Sequence, residues 1–294
     1  MSSDRPFVSV IIPVYNDFDR LKLCLSALEN QTYPADRYEV LVVDNGSKDD
    51  VSPVISNYAH VRCLKEEKPG SYSARNRGVA EARGDIFAFT DSDCLPALNW
   101  LTEGVNALVA AADCGLIAGR IDVFWRPNQT PTAVELYDAV RGLHQKSYVN
   151  AHGFGATANV FTWRKVMDAV GPFDTELRSC GDMEWGQRVG GKGYRIVYCD
   201  AAVVAHPART SFGELGGKMR RVAGGLATLK KKSRIAKGNG SAAGAGLQAL
   251  NDILRDARVK RHRDKAKVLG VAMYVELVKI AERIRLMLGG EPLR

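Results

Sequence analysis

Along the first half of the chain, apolar residues come in short dense runs separated by turn-forming clusters, which predicts alternating buried strands and helices. Residues 7–13 (FVSVIIP), a β-branched run, and 38–43 (YEVLVV) read as strands, and their segments IIP and LVV lack polar alternation, as expected of strands covered on both faces. A shorter run at 61–64 and another at 85–90 (DIFAFT) extend the series. Between them, Asn16 or Asp17 is placed to cap a helix that carries Leu21, Leu25 and Leu28 on one face. Further helices are expected at 73–83, with Gly84 as the stop, and at 100–112. This strand–helix alternation predicts an α/β fold: a mostly parallel sheet flanked by helices, with ligands beyond the C-terminal strand ends.

The pattern then loosens. Strands are expected at 117–124 and 194–199, a short helix capped by Thr162 and ended by Gly171-Pro172, and another helix at 183–189. Beyond Ser211 the periodicity becomes that of basic helices, interrupted by a Gly/Ala/Ser stretch at 238–246 that reads as a flexible break. The last helix, 267–288, carries Met273, Leu277, Ile280, Ala281, Ile284 and Leu288 on one face. These changes suggest a catalytic-looking domain over 1–210 (a donor half to about 115, an acceptor half from about 116) and a basic helical extension over 211–294.

Charge sharpens that division. Residues 211–294 hold 19 Lys+Arg against 7 Asp+Glu, a net of +12, although the whole chain is only +8. The basic character therefore belongs to the C-terminal part, which points to an anionic membrane surface for residues 247–294, or to self-packing or a homo-oligomer. Nucleic acid is disfavoured because aromatic residues are scarce there: Phe212 and Tyr274. The six cysteines form no CxxC pair, which argues against a zinc ribbon or a disulfide framework and for a reducing compartment. The polar N-terminus reads as no signal peptide, and no apolar run of membrane-spanning length is present. The expectation is a cytoplasmic protein, peripheral at the inner face of the membrane.

Five places carry candidate chemistry. Asp91-Ser92-Asp93 follows a buried strand, where two carboxylates can approach one hard cation, Mg²⁺ or Mn²⁺. The stretch 70–78 (GSYSARNRG) is a Gly/Ser loop opening a helix, whose free N–H groups suit an anion. Arg75 sits in that first turn, where the macrodipole disfavours a cation unless a diphosphate is the partner, whereas Arg77 reads as a surface charge and Gly78 as a packing contact. Asp44 ends a strand and can accept from a base or ribose, with Pro13 and Tyr15 on the neighbouring loop; an Asx-turn role is the alternative. Asp182 stands where a helix begins and shares a face with Trp185, a carboxylate beside an indole as in a sugar site; Glu184 and Arg188 have ion-pair spacing. His206 follows the apolar run AAVVA and is a further metal or diphosphate contact.

Together VSVIIPVYN, VLVVDNGSKD, SARNRGVAEARGDIFAFTDSD and GDMEWGQRV resemble the family 2 glycosyltransferases over residues 7–210. The resemblance implies a GT-A fold and an inverting, metal-dependent enzyme using a nucleotide-activated sugar, UDP by default. It implies donor contacts at Pro13, Tyr15, Asp44, Arg75 and Asp91, metal contacts at Asp93 and His206, and Asp182 as catalytic base. Glu184 and Trp185 fall on the acceptor side. The pattern departs from the family where Gly181-Asp182 stands for the usual Glu-Asp. The QxxRW motif and large transmembrane region of processive synthases are missing, which favours single additions to a glycan or lipid-linked acceptor. A sugar nucleotidyltransferase, the competing enzyme class, would need a Gly-rich triphosphate loop after the first strand, where PVYND stands instead.

Overall fold

The computed structural model describes residues 5–111, 113–126, 129–232 and 251–292. Contacts divide the chain into two units, Met1–Asp122 with His144–Glu176 and Gly181–His206, and Val123–Leu143 with Leu177–Cys180 and Pro207–Arg294. Residues 123–143 thus group with the C-terminal part, where the sequence suggested one boundary near 210.

Among the described residues eight strands form one sheet: β1 (Val8–Val14), β2 (Tyr38–Asp44), β3 (Val61–Lys65), β4 (Ile86–Thr90), β5 (Leu95–Pro96), β6 (Cys114–Phe124), β7 (Asn159–Trp163) and β8 (Arg195–Pro207), in the order β3-β2-β1-β4-β7-β6-β8-β5. The helices are α1 (Phe18–Glu29), α2 (Ser52–Ile55), α3 (Ser71–Glu81), α4 (Trp100–Ala110), α5 (Ala133–Arg141), α6 (Gln145–His152), α7 (Arg164–Val170), α8 (Gly181–Gly191) and α9 (Phe212–Lys231), followed by a C-terminal helix, His262–Met287. β1 pairs in parallel with β2 and β4, and β2 with β3, so the chain leaves β1, β2 and β4 at one edge. β7 then enters antiparallel to β4 and β6.

Packing explains the regular half. Val8, Val10, Ile11 and Ile12 are fully buried, and α3 can lie against them only because residue 78 is glycine: a Cβ there would stand 2.5 Å from Ile11 Cγ2. On the other side of β4, Asn159 is a polar hub. It accepts from Trp100 Nε1 at 2.8 Å and donates to the Arg120 and Ala202 carbonyls at 2.8 and 2.9 Å, linking α4, β7, β6 and β8.

Several expectations are corrected. Thr162 caps no helix; it lies in β7, and its hydroxyl donates to the Gly115 carbonyl at 2.6 Å. Neither Asn16 nor Asp17 caps α1 with its side chain: Asp17 holds Arg20 at 2.8 Å, and Asn16 accepts from Lys48 N at 2.9 Å. Helices α5 and α6 were not expected; α5 opens with a Thr132/Glu135 capping box. The stretch 238–246 lies outside the described residues.

In the second unit, α5, α9 and the C-terminal helix share an apolar cluster that includes Leu136, Val140, Leu215, Val268, Val271 and Val275. Buried Asp138 accepts from Arg209 and Lys218, and burial together with the Arg209 charge pushes the Lys218 ammonium down to about 8. The C-terminal helix faces inward with valines, whereas the face read from the sequence is the outer one: Met273, Leu277, Ile280 and Ile284 are exposed.

Candidate active site

The site residues of the first unit gather at the edge where β1, β2 and β4 end. Asp91 and Asp93 follow β4, and His206 lies at the end of β8. Pairing of Leu95 with Ala205 holds the loop after β4 against that strand end. One ligand atom from each of Asp91, Asp93 and His206 lies within 4.8 Å of the others. His206 Nε2 stands 3.8 Å from Asp93 Oδ2, and Arg20 Nη1 stands 3.7 Å from the same oxygen. Burial raises the Asp93 carboxyl above its ordinary value, with Asp91 adding to the shift and His206 and Arg20 opposing it. Carboxylate and imidazole donors of this kind suit a hard divalent cation such as Mg²⁺ or Mn²⁺, whose positive charge would offset the cost of ionising Asp93.

Two thiols lie beneath this loop. Cys24 and Cys94 are fully buried, and burial with the charge of Asp91 and Asp93 keeps both well above the usual thiol range.

Arg75 joins the acidic loop to α3. Its side chain is only 4% exposed, and Nη2 donates to Asp91 Oδ1 at 2.5 Å. Nε of Arg75 and Oγ of Ser73 are buried without a hydrogen-bond partner. Unpartnered donors in the first turn of a helix are the chemistry that an anionic oxygen satisfies. Gly70, at φ 129°, lets the chain enter this helix, and its N–H is tied to Asn45 Oδ1 at 2.6 Å.

Asp44 Oδ1 accepts from Ser47 N, three residues on, at 3.1 Å, and the structure gives Oδ2 no protein partner among the described residues. Pro13 is half-buried and Tyr15 is 61% exposed, leaving the ring free to meet a ligand. Arg77 is an exposed ion-pair partner of Glu81, as read from the sequence.

Asp182 stands in the first turn of α8. Its Oδ1 accepts from Met183 N at 2.9 Å and from the Tyr72 hydroxyl at 3.3 Å. Burial raises its carboxyl, opposed by Met183 N–H, the Arg75 charge and the Tyr72 hydroxyl. A raised carboxyl loses its negative charge at a higher pH than usual, so proton acceptance by Asp182 should fail on the acid side above the ordinary carboxylate range. Tyr72 was not foreseen. Its oxygen also accepts from Gly181 N at 2.9 Å and from Asp182 N at 3.3 Å, so one phenol orients both residues. A Cβ on residue 181 would meet the Tyr72 ring at 2.6 Å, which explains the glycine that replaces the usual acid there. Tyr72→Phe is expected to shift the acid limb of the rate profile toward higher pH, because the lost hydroxyl favours the ionised carboxylate. A pH–rate series that is superimposable on that of the parent protein would remove Tyr72 from this role.

Two sequence candidates do not join the site. Glu184 is buried and holds Arg188 through both oxygens at 2.9 and 3.0 Å, while Arg188 also donates to the Val170 and Pro172 carbonyls. Trp185 is 1% exposed, donates to the Gly171 carbonyl and packs on Phe173. Both fasten α8 to the segment after α7, and neither has a face left for an acceptor. Asn16 and Asn45 were likewise not foreseen. With Ser47, which accepts from Asn16 N at 2.9 Å, they lace the loops after β1 and β2 to each other and to α3.

A family model described as Glycosyl transferase family 2 matches residues 9–173. Glycosyltransferase AglE of Haloferax volcanii is 38% identical over 243 residues, covering 81% of this chain and 74% of its own. A dolichyl N-acetyl-α-D-glucosaminyl phosphate 3-β-D-2,3-diacetamido-2,3-dideoxy-β-D-glucuronosyltransferase of Methanococcus voltae is 30% identical over 106 residues, which is 34% of this chain and 33% of that one. Among solved structures, the mannosyltransferase PcManGT of Pyrobaculum calidifontis, in complex with GDP-Man and Mn²⁺, superposes with a TM-score of 0.66 at 21% identity, over 96% of this chain and 88% of that one. S. aureus TarS 1-349 in complex with UDP gives 0.52 at 19%, over 96% and 92%.

Proposed function

The chain belongs to glycosyl transferase family 2 and has the GT-A fold, and from that premise we propose an inverting, metal-dependent enzyme that transfers single sugars. The donor is a nucleoside-diphosphate sugar, UDP by default, and the acceptor is a hydroxyl of a glycan or lipid-linked glycan in cell-surface glycan or glycolipid synthesis. The observation that carries this reading is the convergence of Asp91, Asp93 and His206, with Arg75 bound to Asp91, at one edge of the parallel strands. The relatives support it: GDP-Man with Mn²⁺ and UDP are bound in the two structures, and the M. voltae enzyme is named for a dolichyl-linked phosphate sugar. Six free cysteines support a reducing, cytoplasmic setting.

In this reading Pro13, Tyr15 and Asp44 hold the nucleoside, and Arg75 with Asp91 orients the diphosphate. Asp93 and His206 would hold Mg²⁺ or Mn²⁺, which would supply positive charge against the charge that grows on the leaving diphosphate. Asp182 takes the proton of the acceptor hydroxyl as its oxygen bonds to the anomeric carbon. The electron pair of the breaking glycosidic bond leaves with the nucleoside diphosphate, and attack from the opposite face inverts the configuration.

The test is thermal stability with UDP, GDP, dTDP and CDP, each with and without Mn²⁺. One nucleotide is expected to stabilise the fold in the presence of the ion, by about 2.7 kcal/mol at a hundredfold excess over Kd. If no nucleotide moves the transition under either condition, the donor assignment fails.

A further inference from the structure

The C-terminal helix carries two apolar faces, and only one is used by the fold. Val268, Val271, Val275 and Val278 point into the second unit. On the opposite side Met273, Leu277, Ile280, Ile284, Met287 and Leu288 are 48% to 83% exposed. Their spacing places them on one line along the helix, running about 22 Å at 1.5 Å per residue. Phe212, at the start of α9, is also exposed, and its ring packs on Tyr274 at 4.9 Å, widening the apolar strip at its flank. Single exposed apolar side chains are ordinary, but a continuous row of this length marks a contact surface.

Charge selects the occupant. Arg263, Lys267 and Arg283 are exposed on the same helix, within a segment, 211–294, whose net charge is +12. Arg263 and Lys267 lie N-terminal to the row and Arg283 flanks it, with exposed Glu276 the acid on that flank, so cations outnumber acids around the row. A bilayer with anionic headgroups satisfies both features, taking the apolar row into the acyl boundary and the cations at the headgroup level. No helix among the described residues is long and apolar enough to cross a membrane, which fits a helix lying in the surface rather than through it.

We propose that the outer face of the C-terminal helix, from Met273 to Leu288, is a membrane-docking surface for anionic lipid. The surface is independent of the transfer reaction and stands or falls apart from it.

The full chain is sedimented with vesicles of phosphatidylcholine alone and with vesicles containing about 30% phosphatidylglycerol, a strongly anionic surface. Binding is expected to the anionic vesicles and to weaken with added salt. Leu277→Glu/Ile284→Glu, at exposed positions that the core does not use, should lower the bound fraction about a hundredfold with an unchanged melting temperature. Arg263→Gln/Lys267→Gln/Arg283→Gln should weaken anionic-vesicle binding by a similar factor, about a hundredfold. Protein that stays in the supernatant with both vesicles, or a Leu277→Glu/Ile284→Glu variant that binds like the parent, overturns the proposal. So does a vesicle-free dimer that the same pair of substitutions dissolves, since the face would then belong to a second copy. The nucleotide-dependent melting shift, measured in parallel on each variant, should be unaltered and reports separately on the donor site.

Discussion

Asp182→Asn is expected to lower turnover about 10²–10⁴-fold, equivalent to about 3–5 kcal/mol of transition-state stabilisation, while donor affinity stays within about twofold. The amide keeps the shape of the carboxylate and can still accept from Met183 N and the Tyr72 hydroxyl. What it loses is the capacity to take a proton. The raised carboxyl gives a second readout. A group whose pKa is higher folded than unfolded adds stability only while it is protonated, and that contribution is lost as pH rises through the folded value. Ionising Asp182 therefore costs the fold stability, and the neutral amide should melt no lower than the parent. Single-turnover rates, donor titration and melting curves on one preparation separate these effects. Undiminished turnover would take Asp182 out of the chemistry.

Asp93→Ala is expected to abolish the Mn²⁺-dependent part of donor binding, a loss of at least two orders of magnitude or about 3 kcal/mol. The structure makes this a cleaner test than Asp91→Ala. Arg75 is buried against Asp91, and removing that carboxylate leaves an uncompensated cation inside the protein, a defect that typically costs about 3–5 kcal/mol of stability. Asp93 carries no buried arginine: Arg20 is exposed and keeps Asp17, His206 stands 3.8 Å away, and Asp93 itself is raised by burial. The alanine variant should fold normally and lose only the response to the ion. Calorimetric titration of nucleotide with and without Mn²⁺ checks this, and an unchanged ion-dependent signal would mean that the cation is held elsewhere.

The parallel half of the sheet was legible because β1, β2 and β4 are buried on both faces and are dense in apolar residues. Their following loops drew Asp44, Asp91 and Asp93 into view for the same reason. β7 was not legible: NVFTW is five residues long, and its buried Asn159 and Thr162 look polar until their partners across the sheet are known. The Thr132-x-x-Glu135 cap of α5 was present in the sequence and went unread amid proline and polar residues. The C-terminal helix shows a deeper limit. It offers a valine stripe and a Met/Leu/Ile stripe, and periodicity cannot rank two apolar faces; the smaller, β-branched one fits beneath α5 and α9. Trp185 was misassigned because an indole near a carboxylate reads as a sugar platform until its burial is seen. Tyr72 escaped notice because its value lies in a contact with residues more than a hundred positions away.

The close approach of Gly181 to the Tyr72 ring constrains how this site can be altered stepwise. An acid restored at 181 collides with the ring, while shortening the side chain at 72 first strips the hydroxyl from two backbone amides and from the carboxylate of Asp182. Each single change is expected to be harmful in the other's original background, which makes the two positions epistatic. A chain arranged this way is held to its own arrangement of this corner unless both residues change together.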